Sequence, residues 1–518
     1  MERIYALIRG MDMNTTTALE MNALRIPDEV CLEFGEKNYT WKELDELANR
    51  YAKGFADRGI RRGDHIAVLM KNSDDFVVIS YAIWKVGAVL VPIHYLSATP
   101  EVTYILQHAN VIAFIFDDVF MHIAKQALSQ LEQALNLVVH RGDQQHPQFS
   151  PLASLCATSI KPVGTHIEDS HFAEILYTQG TTGKPKGALF THSQVMDTAF
   201  IYERLSQMTR QDSYLVSVPL CHGLSLNAIM LMAALVGGKL VIQEHFDASE
   251  ILTWMQTRKI THFFGVPSMY HALVEQAPTD FSAPNLRVVS YGAAPMPVPL
   301  IDRVMTLFSG AQFFNIYGTT ESGPTGLMLL PSEQQKHKGK TGKPMPLTAV
   351  RIVNEYMEDV SLGEQGEIII KSPTVMTEYY NDPAATFTMK KNGWLFTGDL
   401  AVKDKDGYIT LVGRKDNTIL SGGETVYAVD IEHVLLAHPA VQEAVIMGIP
   451  DQVWGEIVAV TIVPNPGETI TEQELVAYCK THLASYKIPK KFLFMDELPR
   501  STSGKILKDH LKETLKNK

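Results

Sequence analysis

Cysteine is scarce in this chain of 518 residues: Cys31, Cys156, Cys221 and Cys479 are widely separated, and none lies in a C-x-x-C pair. That excludes a disulfide framework and a structural zinc site as organising devices, and it points to a reducing, cytoplasmic setting. Long apolar runs are lacking too. The most apolar stretch, 228–236, is cut off by Gly237, Gly238 and Lys239, well short of the ~20 residues that a membrane span needs. The first 22 residues hold no sustained apolar core of the secretory kind, and Met11 and Met13 are alternative starts. Basic charge is in deficit, with 46 Lys plus Arg against 57 Asp plus Glu and a net charge of −11. Such a balance repels a polyanion and argues against nucleic acid as a partner, but not against a small phosphate ligand at a local basic site. The G-x-S-x-G elbow of serine hydrolases does not occur.

What is present is the composition of a globular enzyme, 46% hydrophobic and 20% charged, which excludes collagen-like, coiled-coil and largely disordered chains. Thr40 and Glu43 have capping-box spacing, and Leu44, Leu47, Ala48, Tyr51 and Phe55 follow at a helical period. HIAVLM (65–70), a helical stretch near 76–86 and AVLVPI (88–93) then read as strand, helix, strand. The rhythm returns at 215–220, 239–244, 260–266 and 286–292, as expected for a parallel sheet covered by helices. After about residue 345 short β-rich pieces take over, at 349–354 and 367–372. A small α+β module follows, with helices at 427–436 and 472–483 and strands at 440–449, 456–464 and 491–499. The expected architecture is α/β: a large N-terminal body of helix-covered sheets plus a β-rich subdomain over 1–415, and a small mobile α+β domain over 416–518.

The strongest local signal is Tyr177-Thr178-Gln179-Gly180-Thr181-Thr182-Gly183-Lys184-Pro185-Lys186-Gly187, directly after the strand-like 173–176. Glycines allow backbone N–H groups to turn toward an anion, threonines add hydroxyl donors, and Lys184 and Lys186 add charge, a combination suited to a polyphosphate. It is not a Walker A loop, because only two residues separate Gly180 from Gly183 and a proline follows Lys184.

The string resembles the TSGTTGxPKG phosphate loop of the adenylate-forming (AMP-binding) superfamily, which holds the acyl-CoA synthetases, luciferases and adenylation domains of peptide synthetases. The resemblance extends over nearly the whole chain. Tyr317-Gly318-Thr319-Thr320-Glu321 resembles the family's YGxTE motif, Gly393 to Asp399 its GW-x-x-TGD motif, Gly413-Arg414-Lys415-Asp416 its hinge, and Pro499 to Lys505 its C-terminal lysine loop. The Gly393 to Asn417 stretch resembles the fatty-acid–CoA ligase branch more than the acetyl one. Two departures stand out: Gln179 replaces the usual serine of the phosphate loop, and Asn417 replaces a common acidic residue after the hinge.

The resemblance implies a carboxylate–CoA ligase that forms acyl-AMP and pyrophosphate from ATP with Mg2+, then passes the acyl group to CoA and releases AMP. Lys505 would be the ammonium donor of adenylation, Glu321 the carboxylate that binds magnesium on ATP, and Thr320 a contact of the α-phosphate. Thr178, Gly180, Thr181, Thr182, Gly183, Lys184 and Lys186 would cradle the phosphates. Gly292, Ala293 and Ala294, with Pro295 after them, would line adenine and the acyl carbonyl, Tyr317 would stack on the base, and Asn315, Gly318 and Thr319 would also bind ATP and AMP. Asp399 would accept both ribose hydroxyls, assisted by Arg414. Asp416 would be a hinge that alternately presents Lys505 for adenylation and Ser421-Gly422-Gly423-Glu424 as a CoA channel.

Pro219 to Ser225 resembles the segment lining the acyl pocket, with His222 as the histidine of its PxxH pattern and with Val266 and Gly292 nearby. The amino-acid-activating branch would need an aspartate soon after this point. None occurs between Ser213 and Phe246, and Asp247 with Glu250 reads as a helix cap. Phe263, Phe264, Met269 and Met296 favour an apolar acyl group, and the chain lacks the extra N-terminal segment of acetyl-CoA synthetases. A medium- or long-chain fatty acid is the expected substrate, ahead of aryl, succinylbenzoate or carnitine-like acids. Two other roles are a stand-alone protein loading acyl-adenylate onto a carrier protein and a non-catalytic sensor. The chain ends 13 residues past Lys505, so a carrier would be a separate protein. Peripheral membrane contact and a monomeric or homodimeric state are both open.

Overall fold

The computed structural model describes residues 13–143, 146–178, 184–415, 418–421, 424–451, 455–483, 487–500 and 506–516. Their contacts divide into two units. One runs to Val350 and takes in Ile370–Leu395, and the other comprises Arg351–Ile369 and everything from Phe396 onward.

The first unit is built on two sheets. In the eight-stranded one the order is 378–379, 186–191, 172–178, 89–92, 65–69, 113–117, 137–141 and 150–151. The strands His65–Leu69, Val89–Pro92 and Ala113–Asp117 run parallel at its centre, and their near-continuous Val, Ile, Leu and Phe content suits a sheet covered on both faces. Side-chain alternation shows the two faces: Ile66 and Val68 enter one core, Ala67 and Leu69 the other. The nine-stranded sheet has the order 343–344, 326–329, 312–318, 288–292, 262–265, 213–216, 239–242, 30–34 and 37–40.

Local chemistry sets the element ends. Thr40 and Glu43 form the capping box at the start of Trp41–Asp57. Asp247 caps Ala248–Thr257 by accepting the Glu250 N–H at 2.9 Å. Only that half of the box forms, since the Glu250 carboxylate accepts instead from Gln243 Nε2 at 2.6 Å. The strand read over 215–220 stops at Val216, ahead of Pro219, which has no N–H for a ladder. The apolar run at 228–236 is helical as read, but it opens as a π-helix over Leu224–Met230 before continuing as an α-helix, Leu231–Val236. Such π-turns cluster at functional sites.

In the second unit, strand Trp394–Lys403 pairs antiparallel with Ile409–Arg414. Further along, Val441–Asp451 and Gly455–Pro464 form a long antiparallel pair joined by a parallel strand, Lys491–Phe494. Again the two faces alternate: Val458, Val460 and Ile462 pack with Leu475 and Cys479, while Ala459 and Val463 pack with Leu511 and Leu515. Among the described residues no helix is long and apolar enough to cross a membrane.

Candidate active site

The phosphate loop hangs between two strands, Phe172–Thr178 and Lys186–Thr191, which form an antiparallel hairpin with Thr178 opposite Lys186. Gly180, Thr181, Thr182 and Gly183 lie outside the described residues. The flanks are firmly held. Tyr177 meets His108 Nδ1 through its hydroxyl at 2.7 Å, and burial raises the tyrosine's pKa while lowering that of His108. Lys184 and Lys186 are exposed at the hairpin's open end, and each ammonium sits 5.3 Å from an aromatic ring, that of Tyr104 and Tyr379 respectively. Among the described residues neither lysine forms an ion pair with a carboxylate, and the two cations rest on aromatic faces instead.

Tyr379 extends that arrangement. Its hydroxyl donates to Glu321 Oε1 at 2.6 Å, and the Glu321 carbonyl accepts from the Met376 N–H at 2.9 Å. Glu321 belongs to a 3-10 turn, Thr320–Ser322, capped by Thr319: the Ser322 N–H donates to Thr319 Oγ1 at 3.2 Å, and the Thr319 N–H to Ser322 Oγ at 2.9 Å. The turn ends at Gly323 (φ +62°), where a Cβ would fall 2.5 Å from the Thr374 carbonyl oxygen, so glycine is required. A carboxylate fixed by one tyrosine, whose ring also lies 5.3 Å from the Lys186 ammonium, fits Mg2+, which takes one or two protein carboxylates plus substrate phosphates. Tyr379 has no counterpart in the sequence reading, because it is remote along the chain and belongs to no motif.

Two neighbouring strands, Val288–Gly292 and Gln312–Gly318, bring other residues expected at the nucleotide together at their ends. Gly292 is buried against Ile316, whose carbonyl oxygen would lie 2.2 Å from a Cβ at that position. Ala293 follows at φ +65°, a conformation that costs a residue with a Cβ about 1 kcal/mol or more and often marks a ligand-binding turn. Ala293 and Ala294 are exposed, Tyr317 is half-buried, and Asn315 is tied to the Lys340 carbonyl at 3.1 Å. Ligands of open α/β sheets bind outside the carboxyl ends of parallel strands, which is where Gly292 and Tyr317 stand.

The acyl-pocket segment is likewise anchored. Asn227 Nδ2 donates to Glu174 Oε1 at 2.6 Å, linking the π-helix to the strand that leads into the phosphate loop. Glu174 is fully buried, and burial pushes its carboxyl up to about 8, the Asn227 bond offsetting this only in part. An acid inside the apolar strand Ala173-Glu174-Ile175-Leu176 was the available signal of this buried group. Behind the π-helix lies an apolar cavity of ≈ 20 Å³ bordered by Leu224, Ala228, Met232, Phe264, Val288 and Ile316. Of the residues read as pocket formers, Phe264 reaches it; Phe263, Met269 and Met296 lie in the surrounding core. Val266 is half-buried at the start of helix Pro267–Gln276.

In the second unit Asp399 and Arg414 are partners across the ladder, with Arg414 Nη1 donating to Asp399 Oδ1 at 3.0 Å. Asp399 is only 8% exposed, and Gly398 before it (φ +72°) donates its N–H to Glu367 Oε1 at 3.0 Å. This is a rigid carboxylate with an ordered guanidinium, suited to a pair of vicinal hydroxyls. Ser421 and Glu424 pair across an antiparallel hairpin. Gly422 and Gly423 between them, the hinge Asp416 and the lysine Lys505 lie outside the described residues.

The chain matches the AMP-binding enzyme family over residues 19–380 and the AMP-binding enzyme C-terminal domain over 430–505. It belongs to the AMP-binding enzymes. A feruloyl-CoA synthase of Amycolatopsis sp is 32% identical over 489 residues, covering 94% of this chain and 96% of its own. The long-chain-fatty-acid–CoA ligase FadD13 of Mycobacterium tuberculosis is 33% identical over 476 residues, 92% of each chain. Among solved structures, the o-succinylbenzoate CoA synthetase of Bacillus subtilis in complex with ATP and magnesium superposes with a TM-score of 0.85 at 28% identity, covering 96% of this chain and 99% of that one. This AMP-binding enzyme is therefore an AMP-forming acid–thiol ligase of the acyl- or aryl-CoA class, using ATP with Mg2+ and CoA.

Proposed function

We propose that the enzyme activates a medium- or long-chain fatty acid in the cytoplasm, with a functional boundary at Lys415/Asp416 separating the body from a mobile catalytic module. The observation that carries the substrate class is the cavity behind the π-helix, whose borders by Leu224, Ala228, Met232, Phe264, Val288 and Ile316 offer no charge. At ≈ 20 Å³ it has room for about one water. A chain would enter by displacing Met232 and Met328, which also border it and whose unbranched thioethers adapt readily. The feruloyl-CoA and succinylbenzoate relatives favour an aryl acid as the second reading.

In the proposed reaction a carboxylate oxygen attacks the α-phosphorus of ATP, the P–O bond to pyrophosphate breaks, and acyl-AMP forms. The thiol sulfur of CoA then attacks the acyl carbon, the C–O bond to AMP breaks, and the thiol proton leaves to solvent. Glu321 would hold Mg2+, which neutralises phosphate charge when bound. Lys184, Lys186 and Thr320 would orient the phosphates, with Gly180, Thr181, Thr182 and Gly183 supplying backbone and hydroxyl donors. Asp399 and Arg414 would hold the ribose, and Tyr317 the adenine. Lys505 would stabilise charge on the α-phosphate and then give way to Gly422, Gly423 and Glu424 by rotation at Asp416.

The test is AMP release, with CoA present, over a panel of C6 to C18 fatty acids, coumarate, ferulate, benzoate, succinylbenzoate and carnitine-like acids. The highest kcat/KM should fall on a fatty acid of eight or more carbons. A higher value for any aryl acid would overturn the substrate class.

A further inference from the structure

His94 Nε2, near the candidate acyl-pocket segment, is a buried polar atom without a hydrogen-bond partner. His94 follows strand Val89–Pro92, which runs parallel to Phe172–Thr178 with Leu90 opposite Glu174. His94 comes two residues after the end of Val89–Pro92. Beside it lie Cys221 and His222: the His94 and His222 ring centroids are 5.0 Å apart, and the ligand atoms of all three residues lie within 4.8 Å of one another. The imidazole therefore sits against Cys221 and His222 of the candidate acyl-pocket segment.

Its tautomer follows from one hydrogen bond. The Leu96 backbone N–H, an obligatory donor, donates to His94 Nδ1 at 3.1 Å, so Nδ1 carries no proton. Burial, with the His222 ring adding to it, pushes the His94 pKa down to about 3, and the ring is neutral at pH 7. The proton is on Nε2. His94 is 9% exposed, and its Nε2 is shut off from solvent without a hydrogen-bond partner. A buried donor left unpaired costs on the order of 1–3 kcal/mol, a cost that calls for a ligand acceptor.

A metal ion is the obvious occupant of two histidines and a cysteine, but these groups do not offer what it needs. Zinc binds imidazole lone pairs and thiolates. The Nδ1 lone pair of His94 is occupied by Leu96, its Nε2 carries a proton, and burial pushes the Cys221 thiol up to about 12. The site presents a hydrogen-bond donor, and its complement is an oxygen.

We propose that His94 Nε2–H donates to the non-attacking oxygen of the substrate carboxyl group and keeps that bond when the oxygen becomes the acyl-adenylate carbonyl. The inference rests on the acid-activating reading above. The same bond acts in both half-reactions. In the first it orients the carboxylate so that its other oxygen faces the α-phosphorus. In the second it meets negative charge that builds on the carbonyl oxygen as the CoA sulfur adds, before AMP departs and the thiol proton passes to solvent.

The experiment compares the full-length wild type with His94→Phe and His94→Gln, using the best acid from the panel. Phe keeps a flat ring without the donor; Gln returns an N–H at similar reach. His94→Phe should raise the KM for the acid about 10-fold or more, leave the KM for ATP within about twofold, and slow both half-reactions. Its thermal midpoint should be unchanged or higher, because an unpaired buried donor has been removed. His94→Gln should recover acid KM to within about threefold of wild type. Unaltered acid kinetics in His94→Phe would overturn the proposal, as would a lowered midpoint with equal losses in both variants. Stoichiometric Zn2+ in the purified enzyme, with loss of activity on chelation that Zn2+ restores, would overturn it in favour of a metal site. A wild type that turns over no acid would instead remove the functional reading on which the inference stands.

Discussion

The two units place their candidate functional residues differently. In the first, the candidate residues and their anchors are extensions of the packing: Gly292 touches the next strand, Glu321 is held by Tyr379, and Asn227 and Glu174 are bonded inside the core. In the second, Asp399 and Arg414 are partners on a two-stranded ladder, and Arg414 joins neither of the two cores on the faces of the C-terminal sheet. Residues that share contacts with a core couple function to stability, whereas a charge outside a core can be removed with less effect on folding. Substitutions in the first unit should therefore show mixed effects on function and stability, and those on the Asp399–Arg414 ladder cleaner ones.

The largest expected effect concerns stability in the first unit. Glu174 has its carboxyl raised to about 8 in the folded state, against about 4.3 for an unfolded glutamate. Below about pH 4 both states are protonated. As pH rises toward 8 the unfolded chain releases a proton that the folded one retains, so folding stability falls by up to about 1.4 kcal/mol per pH unit, and above that window the loss is constant. Glu174→Gln, still able to pair with Asn227, should flatten the decline between pH 5 and 8 and raise the denaturation midpoint at pH 8. An unchanged pH profile would show that the carboxylate is not carried in the core.

Next in size, Glu321→Gln should lower kcat of adenylation by about 10²-fold and raise the Mg2+ concentration needed for half activity, measured by pyrophosphate exchange. It should also shift the thermal midpoint slightly, because the Tyr379 hydroxyl loses a charged acceptor. Smaller still, Asp399→Asn should raise the KM for ATP about 10-fold, the magnitude of one weakened charge-assisted contact, with kcat much less affected. A large fall in kcat with unaltered ATP binding would break the ribose assignment.

Much of the fold was legible because a helix-covered parallel sheet writes itself as alternating apolar strands and amphipathic helices, and the capping box at Thr40 and Glu43 marked a helix start directly. The candidate site was legible where chemistry is compressed into a short string, as at Thr178 to Lys186 or Tyr317 to Glu321. Tyr379, Glu174 and His94 escaped for a different reason: each gains its meaning from a partner far along the chain, at Glu321, Asn227 and His222, and no local pattern encodes such a meeting. The π-helix at Leu224–Met230 has the composition of an ordinary helix, so its altered hydrogen bonding left no signature in the residues.

The proposed division of labour has the body bind the substrates while Lys505 serves one half-reaction alone. It is tested most directly by assaying Lys505→Ala in the two half-reactions separately. The variant should lose about 10²-fold or more in acid-dependent pyrophosphate exchange, keep its thermal midpoint, and retain near wild-type transfer from supplied acyl-adenylate to CoA. Equal losses in both half-reactions would contradict that division.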